Sequence, residues 1–139
     1  LPIYVVVHYE VIEHMKVEHG AKLLKAMLAC LKPGGVLLLS TPVYDGVRHA
    51  ANHIHEYTVP ELQKAIEKAG FKVQQRFGTF MDIKHIGKTD KDSGECSWSA
   101  IAEVAGALKQ YFDNDAISNI FGPLYPDHSR NNLWVCVKP

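Results

Sequence analysis

Charge bias is the first thing this chain lacks. Lysine plus arginine and aspartate plus glutamate number 15 each, so the formal net charge is zero. No long-range field pulls it toward nucleic acid or an anionic membrane. A local basic cluster, Lys84, His85, Lys88 and Lys91, is diluted by Asp82, Asp90 and Asp92. Cysteine is scarce: Cys30, Cys96 and Cys136 are odd in number, far apart and form no Cys-x-x-Cys pair. That argues against a thiolate zinc site. It fits small buried hydrophobes in a reducing, cytoplasmic compartment. No apolar run approaches the roughly 20 residues that span a bilayer, and no signal peptide is visible. Repeats and low-complexity tracts are absent. The first residue is Leu1, not Met, which points to a processed, trimmed or partial product.

What is present is ordinary globular composition, 47% hydrophobic and 22% charged over 139 residues. That suffices for a single domain, 1–139, with one core. Ile3-Tyr4-Val5-Val6-Val7-His8 reads as a strand buried on both faces, as strands of parallel sheets are. Val17, Leu23, Leu24, Met27, Leu28 and Leu31 have helical spacing over 17–31. Lys32-Pro33-Gly34-Gly35 should stop that helix and turn the chain into a second apolar strand, Val36–Ser40. Strand, helix, strand is the pattern of a right-handed crossover. A polar loop, 41–57, carries His49, His53 and His55. Thr58-Val59-Pro60-Glu61 then opens a helix with a capping box and an early proline, and Gly70 ends it. Phe71–Phe80 reads as a strand, 81–96 as a loop and Trp98–Tyr111 as a helix. A helical turn near Ile117–Phe121 and a last strand, Asn132–Val137, follow.

The first strand runs into Glu10-Val11-Ile12-Glu13-His14. Ligands of open α/β sheets bind just beyond the carboxyl ends of strands. Glu10, Glu13 and His14 fall there, three and four residues apart, the spacing of one helix face. Two hard oxygens and an imidazole suit a divalent ion such as Mg²⁺, Mn²⁺, Fe²⁺ or Zn²⁺. A further ligand should come from another loop, with His53 the first candidate and His55 the second. Plainer readings stand beside this one. The cluster can be a polar site wall or a solvated turn, and the loop histidines can simply bond backbone carbonyls. His8 reads as a structural strand-end residue rather than a base. Trp98, Tyr111, Phe112 and Phe121 read as core or lid rather than a base-stacking platform.

Three segments together resemble the second half of a class I S-adenosylmethionine-dependent methyltransferase. They are Val5–His14, Leu31-Lys32-Pro33-Gly34-Gly35-Val36-Leu37-Leu38-Leu39-Ser40-Thr41-Pro42, and His53-Ile54-His55-Glu56-Tyr57-Thr58 through Ala69-Gly70-Phe71. The resemblance implies a Rossmann-like, mostly parallel α/β sheet with an antiparallel last strand. It implies methyl transfer from S-adenosylmethionine, to an oxygen acceptor, with backbone at His8 and Tyr9 facing the cofactor's methionine end. Small-RNA 2′-O-methyltransferases are similar in their Glu-x-x-Glu-His turn and later histidine; there a metal holds the acceptor's ribose hydroxyls. By that likeness Glu10, Glu13, His14 and His53 are metal ligands, and His14, His53 or His55 can take the acceptor's proton. A ubiquinone-pathway O-methyltransferase branch shares the turn, so the acceptor can be a small molecule or RNA. The family's usual Asp before this strand is Tyr4 here. The family's glycine-rich loop and ribose-binding acid have no counterpart in these 139 residues. The first strand, which in the family lies beside Val5–Val7, is missing with them. The expectation is therefore a domain whose N-terminal strands are missing, completed by a further segment or a second chain. A non-catalytic methyltransferase-like subunit is the alternative. A metal-dependent hydrolase lacks a nucleophile.

Overall fold

A computed structural model describes residues 3–81 and 98–139. Within them the chain forms β1 (Ile3–Tyr9), α1 (Val17–Cys30), β2 (Leu31–Pro42), α2 (Val59–Ala69), β3 (Lys72–Met81), α3 (Trp98–Leu108), α4 (Asn114–Phe121) and β4 (Ser129–Val137). Single 3-10 turns occupy Ile12–His14, Gly122–Leu124 and Pro126–His128. The loop expected over 81–96 lies, from 82 onward, outside the described residues.

The strand order is β1-β2-β4-β3. β1 and β2 run parallel, and β2 and β4 run antiparallel. This is a mixed Rossmann-like α/β sheet, with the antiparallel last strand inserted between β2 and β3. Leu37 and Leu39 stand opposite Cys136 and Trp134. With Leu24 and Met27 of α1 and Leu62 and Ile66 of α2, they build one core on one face of the sheet. Period-2 alternation puts Val36, Leu38, Val135 and Val137 on the other face, where they are only half-buried. β1 departs from the double burial its sequence suggests. Val6 packs against the core, but Val5 and Val7 are 52% and 57% exposed. The cause is position: β1 is the edge strand, hydrogen-bonded on the β2 side alone among the described residues.

The local rules that shape α2 are visible in place. Thr58 Oγ1 accepts from the Glu61 N–H at 3.3 Å, and the Glu61 carboxylate reaches back to the Thr58 N–H at 3.4 Å. Gly70 ends the helix at φ 108, a left-handed cap. Three boundaries differ from sequence expectation. β2 begins at Leu31, because Ile3 pairs with Leu31 and a register shift, with Gly34 at φ 76, absorbs the expected turn into the strand. α4 begins at Asn114, where the Asp113 carboxylate accepts from the Ala116 N–H at 2.8 Å. α3 stops at Leu108, short of Tyr111.

The described chain divides into two compact units. One is built from residues up to Phe77 with Asn131–Pro139, the other from residues between Gly78 and Arg130. The first holds the core above and every candidate site residue. The second has its own small core of Met81, Ala105, Ile117 and Phe121. There Ser129 Oγ lies 3.0 Å from the carbonyls of both Gly122 and Tyr125. Phe121 is thus core, while Tyr111 and Phe112 are exposed; the side chain of Trp98 lies outside what is described.

Candidate functional site

The site begins where β1 ends. The Glu10 N–H still bonds the Ser40 carbonyl at 3.0 Å, continuing the ladder. Glu10 itself takes φ 54, a left-handed conformation uncommon for a side chain larger than Asn. That reversal breaks the strand and starts the 3-10 turn Ile12–His14. Ile12 is fully buried and pins the turn to α1. Gly20 of α1 makes room: a Cβ there would meet Tyr57 Oη at 2.9 Å and Ile12 at 3.2 Å. One glycine thus lets the turn and the far end of the histidine loop seat on the same helix.

The loop from Val43 to Tyr57 is closed at its base by a bridge between those two residues and by the Tyr44 N–H on the Tyr57 carbonyl at 2.9 Å. It is also tied to the turn. The Glu13 carbonyl accepts from the N–H groups of Ile54 at 2.8 Å and His55 at 3.0 Å. That clamp carries His53 to His14, and their rings meet edge to face with centroids 4.8 Å apart.

Glu13, His14 and His53 form one group, each offering a ligand atom within 4.8 Å of the others. The Glu13 side chain is 1% exposed. Thr41 Oγ1 donates to its Oε2 at 3.0 Å, whereas buried Oε1 has no hydrogen-bond partner. His14 Nε2 lies 3.8 Å from Oε1. Burial pushes the Glu13 carboxyl above the usual carboxylate range, against the pull of its backbone and Thr41 hydrogen bonds. His14 Nδ1 lies 3.2 Å from the Asn52 carbonyl. A carbonyl only accepts, so Nδ1 carries the proton and Nε2 keeps its lone pair. His53 Nδ1 lies 2.5 Å from Glu56 Oε1. An ionised Glu56 likewise leaves the His53 lone pair on Nε2. One hard oxygen and two imidazole lone pairs are a donor set that fits a divalent cation, and the unpartnered Oε1 is the atom that needs one.

The remaining candidates sit elsewhere. Glu10 is outside the group: its Oε1 accepts from Ser40 Oγ at 2.6 Å and its Oε2 from Asn131 Nδ2 at 2.7 Å. The one-face helical spacing expected of Glu10, Glu13 and His14 does not form, because the turn is a three-residue 3-10 segment and Glu10 precedes it with reversed φ. His55 Nε2 bonds Glu61 Oε1 at 2.7 Å, and its ring packs edge to face on Tyr57. His8 stays in β1, with burial holding its imidazole below the ordinary range and its Nε2 unpartnered. Tyr9 ends the strand, half exposed. Sequence reasoning missed Thr41, Asn52 and Glu56. Only Glu56 left a trace, three residues after His53. It also lines a cleft of about 500 Å³ with Tyr44, Arg48, Ile54, His55, Thr58 and Glu61.

A methyltransferase domain model matches residues 2–76. The chain belongs to the S-adenosylmethionine-dependent methyltransferases. A probable S-adenosylmethionine-dependent methyltransferase of Mycolicibacterium smegmatis is 30% identical, over 78% of this chain and 49% of the relative. The chain thus spans about half the length of the curated methyltransferase it matches. Solved methyltransferases share the fold at lower identity. A SAM-dependent methyltransferase from Archaeoglobus fulgidus is 15% identical with a TM-score of 0.60, covering 99% of this chain and 60% of that one. The small RNA methyltransferase HEN1 is 16% identical with a TM-score of 0.54, covering 98% of this chain and 14% of that one. No helix among the described residues is long and apolar enough to cross a membrane.

Proposed function

We propose that this chain is the acceptor-holding half of a methyltransferase that moves the methyl group of S-adenosylmethionine to an oxygen, with Glu13, His14 and His53 as the site of a divalent cation. One observation carries the reading. A buried carboxylate keeps one oxygen unpartnered beside two imidazoles whose lone pairs are free. Leaving such an atom buried and unpaired is costly, and a cation relieves it. When bound, the cation lowers the pKa of an acceptor hydroxyl and orients it. The chain's own part is placement. Methyl transfer is an in-line displacement at a sulfonium, so holding the acceptor oxygen in line and excluding water supply most of the catalysis. The Nε2 of His14 or His53 is oriented to take the hydroxyl proton where no cation holds it; His55 is a poorer base, since its Nε2 is spent on Glu61. By the family resemblance, backbone at His8 and Tyr9 would face the methionine end of the cofactor when it is bound. Glu10 contributes through Ser40 and Asn131, or as an additional ligand after its side chain turns. A small RNA methyltransferase among the fold neighbours suits a vicinal-diol acceptor such as a ribose end; a catechol offers the same pair of oxygens.

The bare outer edge of β1 supports a second element of the reading: another strand, from elsewhere in the polypeptide or from a second chain, pairs there and completes the cofactor site. The test uses the chain with that strand supplied. Methyl transfer to a 2′,3′-diol or catechol acceptor should require a divalent ion. It should fall by well over tenfold in Glu13→Ala, His14→Ala and His53→Ala with the fold intact, and less in His55→Ala. Activity that survives chelation and all these substitutions removes the cation and leaves a polar wall. Failure to transfer any methyl group with cation and cofactor bound leaves the non-catalytic subunit.

A further inference from the structure

The loop holds a second buried carboxylate, Glu56, whose side chain is 1% exposed. Its Oε1 accepts the His49 N–H at 2.7 Å and meets His53 Nδ1 at 2.5 Å. Its Oε2 has no hydrogen-bond partner. No lysine or arginine among the described residues is ion-paired with either Glu56 or Glu13. The His53 imidazole therefore lies between two buried carboxylates, and Arg48, which lines the same cleft as Glu56, is ion-paired with neither. A loop staple for the His49 N–H needs no such group: an asparagine or serine would accept that bond without the desolvation cost of a charge. What a carboxylate adds is its bond to the imidazole. A histidine whose outer nitrogen donates to a carboxylate is fixed in ring angle and in tautomer, and its inner nitrogen becomes more basic.

We propose that Glu56 is the positioning residue of the cation site: it takes the Nδ1 proton of His53 in a hydrogen bond and so aims the Nε2 lone pair at the point shared with Glu13 and His14. The inference rests on the cation reading above and extends it outward by one residue. It also explains the chain's local order. His53 and Glu56 stand three apart in the loop, and the two N–H bonds to the Glu13 carbonyl fall on the residues between them, Ile54 and His55. The backbone between ligand and carboxylate is thereby anchored to the turn that carries the other two ligands.

The test separates reach from charge, with two readouts in the full chain. The first needs no metal: long-range proton–nitrogen NMR correlation of the His53 ring reports which nitrogen is protonated. The second is Mn²⁺ affinity by calorimetry or electron paramagnetic resonance. Glu56→Gln keeps an oxygen within reach of Nδ1 and of the His49 N–H. It should retain the Nδ1–H tautomer and bind Mn²⁺ within a few-fold of the parent, well inside the about 10–100-fold that losing an outer partner costs. Glu56→Asp keeps the charge and withdraws it by one methylene; with Glu56→Ala, it should lose the tautomer and about 10–100-fold of the affinity. A merely structural carboxylate would lower the melting temperature in Glu56→Ala and Glu56→Asp while both His53 readouts stay put, and that overturns the proposal. Equal loss of the Nδ1–H tautomer in Glu56→Gln and Glu56→Ala overturns it too, since an acceptor kept within reach of Nδ1 would then not be what sets the ring. A parent chain that binds no Mn²⁺ overturns the cation reading itself, and positioning for it falls with it.

Discussion

A buried carboxylate and a buried thiol show how residue environment decides chemistry here. Glu13 is held at 1% exposure with one oxygen bonded and one orphaned, so in the cation-free chain it should be a destabilising choice. Glu13→Gln should therefore raise the melting temperature of the metal-free chain, since the amide still accepts from Thr41 without burying a charge. Mn²⁺ should do the opposite sorting. At 100 times its Kd it should stabilise the parent by about 2.7 kcal/mol and leave the variant unmoved, which scanning calorimetry reads directly. A parent melting curve indifferent to Mn²⁺ would remove the cation. The cysteines make a second contrast. Cys30 is exposed, while burial pushes the Cys136 thiol up to about 12. Burial both keeps the Cys136 thiol protonated and withholds it from reagent. Iodoacetamide followed by peptide mapping should find Cys30 alkylated and Cys136 intact in the folded chain, with the difference erased in denaturant. What was legible at this scale is instructive. Residue type and spacing pointed to Glu13, His14 and His53, which the fold does bring together. They could not show that Glu10 turns away, because its φ of 54 and its bond to Asn131 depend on a strand at the far end of the chain. Nor could they show Glu56, whose meaning appears only once the loop is folded back.

Elements were more readable than residues where the signal was local. α2 announces itself through Thr58, Pro60, Glu61 and Gly70, and each does in the structure what its chemistry suggests. Thr58→Ala should cost about 0.5–2 kcal/mol through the lost cap, read as a lowered urea midpoint with an unchanged slope. The beginning of β2 was not readable, since Lys32-Pro33-Gly34-Gly35 looks like a turn and is drawn into the sheet only by the long-range pairing of Leu31 with Ile3. Gly78 is another case. Nothing in the local sequence marks it, but a Cβ there would lie 1.9 Å from Ser129 Oγ and 2.1 Å from the Gly122 carbonyl. The carbonyl belongs to backbone that cannot swing aside, so Gly78→Ala should destabilise by at least the roughly 1–3 kcal/mol of ordinary overpacking. Gly46→Ala, with nothing within 4 Å but φ 106, is the comparison: it tests backbone strain alone and should cost less. Equal melting temperatures for the two would mean that β3 and β4 relax apart at Gly78.

At the scale of the whole molecule, the sheet is finished on one side and open on the other. α1 and α2 cover the face that holds Leu37, Leu39, Trp134 and Cys136. The opposite face is half open, and Ile3, Tyr4, Val5, Val7 and Tyr9 of the edge strand are all exposed. An apolar edge of that kind is a template for another strand. Val5-Val6-Val7 reads in sequence as a strand buried on both faces, and here Val5 and Val7 face outward instead. The same half of the fold that would cover the edge would bring the glycine-rich loop and the ribose-binding acid, neither of which these 139 residues hold. On the proposed completion of the sheet, the open edge and the cofactor clamp depend on the same added segment, and they should respond together. The isolated chain should bind S-adenosylmethionine weakly or not at all by calorimetry, and should self-associate as its concentration rises in sedimentation velocity. Val5→Lys with Val7→Lys should suppress that association by charging the edge, while leaving Mn²⁺ affinity unchanged, because the cation group lies beyond the strand's end and is built from the turn and the loop. Supplying the pairing strand should restore cofactor binding to the parent and not to the double lysine variant. Tight binding of S-adenosylmethionine by the isolated chain would place the cofactor site wholly within these residues, and the edge would then be an interface with some other purpose.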